Sequence, residues 1–104
     1  MAKKINKDLT KEFNNVSINF DGTVSIINYS SEKLFDGKIA INEKTPNNKT
    51  MTHYVHCKWY HPSMELEKGD VVTVNAKFGT DTYKDKQGKT VHKLIVIIND
   101  CEVV

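Results

Sequence analysis

Arginine is absent from this chain: all 15 of its basic residues are lysine. Bidentate reading of a guanine edge usually takes arginine. Lysine is a point charge suited to diffuse contact with phosphate. A nucleic acid, if bound, would be held by its backbone rather than read by its sequence. Cysteine is scarce too. Cys57 and Cys101 are too few for a disulfide framework, and with no secretory signal they read as reduced thiols in strands. The opening stretch "MAKKINKDLTKEF" has lysines but no apolar segment of the kind a signal peptide needs. No apolar run is long enough to span a membrane. The expectation is a cytoplasmic protein. Helical periodicity is missing as well, since no segment keeps it over three turns. Neither a phosphate-cradling glycine loop nor finger-like metal spacing occurs, so an enzyme, a cofactor and a metal are not expected.

What is present suits one globular domain: 104 residues, 38% hydrophobic, 27% charged, net charge +2. Residues 1–13 are lysine-rich and weakly patterned, and read as a flexible or weakly ordered arm before a domain spanning 14–104. From Asn14 the pattern becomes period two. "NVSINFDGTVSIINY" is either one strand bent at Gly22 or a hairpin turning at Asp21-Gly22. "EKLFDGKIAINEK" follows, with Ile39 and Ile41 on one face and Lys38 and Asn42 on the other. After the loop "TPNNKT" come a third strand, "MTHYVHCKWY", and a connection, "HPSMELEKGD". The fourth strand is "VVTVNAKFGTDTY", the turn "KDKQGK", and the fifth strand "TVHKLIVIINDCEVV". Five long strands parted by polar loops predict an all-β barrel that hides its edges by closing on itself.

Side chains alternate across a strand. In the third strand Val55, Cys57 and Trp59 form a core face, while Tyr54, His56, Lys58 and Tyr60 form an aromatic and basic one. In the fourth, Val72, Val74, Ala76 and Phe78 are the apolar set, with Lys77, Asp81 and Tyr83 on the other side. Tyrosines interleaved with lysines suit a nucleic acid strand: bases stack on the rings and lysines neutralise phosphates. Tyrosine also pairs across exposed strands for purely structural reasons, so the pattern alone leaves both readings open. A metal site from His53, His56, Cys57 and His61 is not expected, because on a strand His53 and Cys57 point away from His56. Cys57 on a core face would be an inert thiol rather than a nucleophile. Glu65, Glu67 and Asp70 read as a solvated loop.

The stretch "LEKGDVVTVNAKFGTDTYKDKQGKTVHKL" resembles the bacterial single-stranded DNA-binding protein family. Lys68-Gly69 stands before alternating Val72 and Val74, followed by Tyr83 and an Asp85–Gly88 turn. "YVHCKWY" is similar to that family's third strand, with Tyr54 and Tyr60 at its two aromatic positions. The resemblance covers roughly residues 14–104 and is clearest over 52–90. It implies an OB-fold, a five-stranded Greek-key barrel, and a homo-oligomer (dimer or tetramer) that binds single-stranded DNA. RNA would stack on such a face as well. It also implies that Tyr54, Tyr60 and Tyr83 stack on bases, with His56, Lys58 and Lys77 on the same face and Lys84, Lys86 and Lys89 on the loop between the last two strands.

The chain departs from the family in three places. It runs off its last strand as "NDCEVV", so an acidic C-terminal recruitment tail is not expected. "HPSMELEKGD" stands where the family has a helix, and tyrosine stands where it often has tryptophan. The expectation is a small divergent member acting in DNA replication, recombination or repair. The alternative is an OB-fold interaction module, a primosome-like accessory protein with little or no nucleic-acid binding.

Overall fold

The structure is a computed structural model and describes residues 17–104. The arm expected over 1–13 lies outside the described residues. Five strands follow one another: β1 (Ile18–Ser30), β2 (Leu34–Lys44), β3 (Thr50–Tyr60), β4 (Val71–Lys84) and β5 (Thr90–Val103). Their order around the sheet is β1-β2-β3-β5-β4, with β4 closing back on β1. This is the five-stranded Greek-key barrel of the OB-fold. The β3–β5 pair is parallel and the other pairs are antiparallel.

β1 resolves the choice between bent strand and hairpin: it is one strand. Residues Ile18–Thr23 pair with β4, and from Thr23 onward the strand pairs with β2. Gly22 sits at the changeover. A Cβ there would come 2.5 Å from Ile39 Cγ2 and 2.7 Å from the Ala40 carbonyl oxygen, so only glycine lets the strands cross this closely.

The core follows the alternation. Val24, Phe35, Ile39, Cys57, Trp59, Val72, Val74, Ala76, Val96 and Ile98 are buried together. Burying each large side chain contributes about 1.5–3 kcal/mol. Trp59 is 3% exposed and belongs to the core. The 61–70 connection forms no helix. Its Leu66 enters the core as a plug, and its end is fastened to β1 by Val24 N–H donating to the Asp70 carbonyl (2.8 Å) and Gly69 N–H donating to the Val24 carbonyl (2.8 Å).

Two arms rise from the barrel at the same end, and their turns share one design. In the β2–β3 arm, Thr45 N–H donates to the Lys49 carbonyl and Asn48 N–H to the Thr45 carbonyl, with Asn48 at φ 60. In the β4–β5 arm, Asp85 N–H donates to the Lys89 carbonyl and Gly88 N–H to the Asp85 carbonyl, with Gly88 at φ 79. A left-handed residue closes each turn, and asparagine and glycine are the residues that tolerate it. Asp85 Oδ1 also accepts from Gln87 N–H and Lys89 N–H, both at 2.9 Å, which stiffens a lysine-bearing tip.

Strand length explains one departure from the alternation. Phe78, expected with Val72, Val74 and Ala76 in the apolar set, is 57% exposed. At 14 residues each, β4 and β5 run for about 46 Å. β5 meets β3 only at Cys57–Val96 and Lys58–Ile97. Beyond that crossing the β4–β5 arm parts from β3, and Phe78 and Leu94 on its inward side are left open to solvent.

Candidate nucleic-acid interface

The outward face of β3 carries Tyr54, His56, Lys58 and Tyr60, as the alternation requires. Tyr54 is 60% exposed and lies across from Ala40, whose small side chain leaves the ring uncovered. Tyr60 is 54% exposed and lies across from Leu34 at the far end of the strand. Six residues of strand set the two rings about 20 Å apart along it. Tyr83 is exposed on β4 near the tip of the second arm, with Lys84, Lys86 and Lys89 exposed around that tip. Lys77 is exposed on the same outward side of β4.

β3 and β4 are not neighbours, because β5 runs between them. A single ion pair joins their outward faces. Lys58 Nζ donates to Asp81 Oδ1 at 3.1 Å across β5, with the two side chains 17% and 26% exposed. That hydrogen bond, more than any other influence, raises the Lys58 ammonium above the usual lysine value. Ile95, outward on β5 and opposite Gly79, is buried in this region.

His56 is also engaged. Its Nε2 lies 2.6 Å from Asp36 Oδ1 on β2. A carboxylate can only accept, so Nε2 carries the proton, and on a neutral ring Nδ1 is left as an acceptor. Among the described residues, Nδ1 is buried without a partner. Lys58, expected to hold phosphate, thus already faces a carboxylate of β4, and His56, expected on the same face, one of β2. Among the described residues, no carboxylate comes within ion-pairing distance of Lys38, Lys77 or Lys93.

The side chains of His53, His56 and Cys57 are dispersed. His53 Nε2 pairs with Glu43 Oε2 at 2.8 Å, His56 with Asp36, and Cys57 lies in the core. Burial, above all, pushes the Cys57 thiol up to about 12. Among the described residues, no group of three or more His, Cys, Asp or Glu is placed to hold a metal ion.

Sequence reasoning missed four residues. Between β3 and the β4–β5 arm lies a cleft of about 280 Å³. Phe78 and Leu94 form one wall, Tyr54 and His56 the other, and Lys38 and Lys93 stand beside them. Phe78, Leu94, Lys38 and Lys93 were not in the expected site. The available signal was strand length, since strands this long must outrun a small barrel and uncover their inward side. A larger cavity of about 360 Å³ lies at the other end, lined by Ser31, Glu32, Pro62 and Glu65 among others. Its charged lining is acidic throughout, which disfavours a polyanion.

The fold is one that single-stranded DNA-binding proteins have. The structure of a Plasmodium falciparum SSB in complex with single-stranded DNA matches with a TM-score of 0.61 at 20% identity, over 85% of this chain and 91% of that one. A small single-stranded DNA-binding protein from Streptomyces coelicolor matches with a TM-score of 0.56 at 14% identity, over 86% and 94%. A mitochondrial single-stranded DNA-binding protein from S. cerevisiae matches with a TM-score of 0.51 at 14% identity, over 86% and 94%. No protein-family model and no curated protein matches the sequence.

Proposed function

We propose that the chain is a binding protein, not a catalyst, and that it holds single-stranded DNA with little sequence preference in replication, recombination or repair. Tyr54, Tyr60 and Tyr83 are the stacking platforms. Lys77 and the arm-tip residues Lys84, Lys86 and Lys89 take phosphates. One observation carries the reading: three tyrosines stand exposed on the outward faces of β3 and β4 of a barrel shared with single-stranded DNA-binding proteins. Base stacking needs an uncovered ring and tolerates any base, and lysine adds backbone attraction without sequence readout. Lys58 and His56 position this face through their carboxylate partners rather than by offering free charge.

The test is a titration of labelled oligo-dT, poly-A RNA and duplex DNA at two salt concentrations. Wild type should bind oligo-dT best and lose affinity with salt. A Tyr54→Ala/Tyr60→Ala double variant should lose roughly 30-fold or more, at about 1–3 kcal/mol per stacked base. Absence of single-strand binding at low salt would end this reading. Unchanged binding by the double variant would end the site assignment.

The same reading places the protein in the cytoplasm as a homo-oligomer. Val71, Val103 and Val104 are exposed close together, since Val104 N–H donates to the Val71 carbonyl. Apolar residues grouped in this way fit a contact between copies. A light-scattering mass of one chain at high concentration would contradict it.

A further inference from the structure

We propose that the cleft between β3 and the β4–β5 arm receives one unstacked base of the bound strand. Phe78 and Leu94 form its apolar wall, and Lys38 and Lys93 hold the flanking phosphates. This deepens the proposed function and rests on it.

Three observations carry the proposal. The first is exposure. Phe78 is 57% and Leu94 69% exposed, side by side on the inward side of the arm, where the barrel has ended. Two large apolar side chains left open next to a cleft mark a contact surface. The second is charge. Among the described residues, the charged side chains lining the cleft are both lysines, Lys38 and Lys93, with the His56 imidazole beside them. The carboxylate of Asp36 is taken by His56 at 2.6 Å, and that of Asp81, which lies across from Lys93, by Lys58 at 3.1 Å. An apolar slot with a basic rim is complementary to a flat ring with anionic groups at its ends, which is the chemistry of a nucleotide within a strand. A second copy of this chain fits poorly, because a two-fold contact centred here would bring two lysine-bearing rims together. The third is continuity. Tyr54 borders the cleft and is 60% exposed, so a strand stacked on its ring is already at the entrance. The acidic cavity at the other end of the barrel offers none of this.

The geometry gives Phe78 and Tyr54 different tasks. Tyr54 presents an open face on the outside of β3. Phe78 presents its ring within a recess also lined by Val55 and Val96. A base that enters must leave its stack, and Phe78 and Leu94 offset that loss by apolar contact.

The experiment measures binding of oligo-dT to wild type and to Phe78→Ala, Leu94→Ala and Lys93→Gln, with Lys68→Gln as a control outside the cleft. Oligonucleotides with abasic positions are run in parallel. Thermal melts check that each variant is folded, which the exposure of these side chains favours. Phe78→Ala should weaken oligo-dT binding roughly tenfold, the loss expected of one base–aromatic contact. That loss should vanish on the fully abasic oligonucleotide. Lys93→Gln should flatten the logarithmic salt slope by about 0.7, the share of one phosphate on a single strand. In Phe78→Trp, indole emission from position 78 should be quenched by oligo-dT and not by the abasic strand. If wild type binds and Phe78→Ala and Leu94→Ala bind equally well, the inference fails while the proposed function stands. If those variants keep DNA binding but lose self-association, the cleft is a protein contact and the inference is likewise overturned. If wild type binds no single strand, both fall.

Discussion

Replacing Asp81 by asparagine should strengthen nucleic-acid binding while weakening the fold. The Lys58 Nζ–Asp81 Oδ1 contact is 3.1 Å long, and the two side chains are 17% and 26% exposed. At an effective dielectric of about 20, the gross attraction at this distance is about 5 kcal/mol. Desolvation and side-chain ordering cancel most of it, leaving a net contribution of about 1 kcal/mol for a pair that still touches solvent. Asparagine keeps the shape and one acceptor, so a loss near 1 kcal/mol corresponds to a drop of roughly 4–8 °C in Tm for a domain of this size. Binding moves the other way. A phosphate about 6 Å from the lost carboxylate gains about 0.7 kcal/mol in water, a factor of about three. Lys58 becomes free to take a phosphate, which steepens the salt slope by about 0.7. Anisotropy titrations of oligo-dT across a salt series, with melts in parallel, read both effects. Adding Lys58→Gln to the variant should remove the gain in slope. Weaker binding by Asp81→Asn, or a slope unchanged from wild type, would refute the reasoning and place the phosphate path elsewhere.

Other consequences follow from the core. Phe35→Ala, at a site 1% exposed, should cost about 3–5 kcal/mol in urea denaturation. Gly22→Ala should cost about 1–3 kcal/mol, because the new Cβ would meet the Ala40 backbone oxygen as well as Ile39. A neutral result at either position would contradict the packing described. Burial pushes the Cys57 thiol up to about 12 and that of Cys101 to about 11, from 9.0. The folded chain therefore keeps protons that the unfolded chain gives up. This contribution is full below pH 9 and is lost as pH rises toward 12, so the urea midpoint should fall over that interval. The fall should be smaller in a Cys57→Ala/Cys101→Ala variant, measured against its own value at pH 8. Both thiols should resist alkylation at pH 8 until the chain is unfolded. Trp59, 3% exposed, should emit at short wavelength and stay unquenched when oligo-dT binds; strong quenching would place it at the interface.

The strands were legible because their signal is local. Period-two patterning and turn residues at 45–49 and 85–89 locate the strands within a few residues of where they stand, with β1 left open between a bent strand and a hairpin. The split of β3 into Val55, Cys57 and Trp59 against Tyr54, His56, Lys58 and Tyr60 was legible for the same reason. The backbone alone dictates it, and no bulge interrupts the β2–β3 register. The partners of His56 and Lys58 were not legible. Asp36 lies 20 residues from His56 in sequence, and Asp81 lies 23 from Lys58. Those contacts exist only because β2 pairs with β3 and β5 threads between β3 and β4.

Phe78 marks where local reading stops. Alternation states which side of a strand a residue occupies. It does not state whether another strand covers that side. The sequence by itself determined the five strands, their turns and the parity of each side chain, because these depend on dihedral preference and spacing along one stretch of chain. The tertiary structure alone decided that the barrel closes β4 on β1, that β3 and β5 part beside Phe78, and that His56 and Lys58 face carboxylates while, among the described residues, none pairs with Lys38 or Lys93 beside the cleft. Burial and charge pairing are properties of surfaces brought together from distant stretches, and those surfaces form only when the sheet closes.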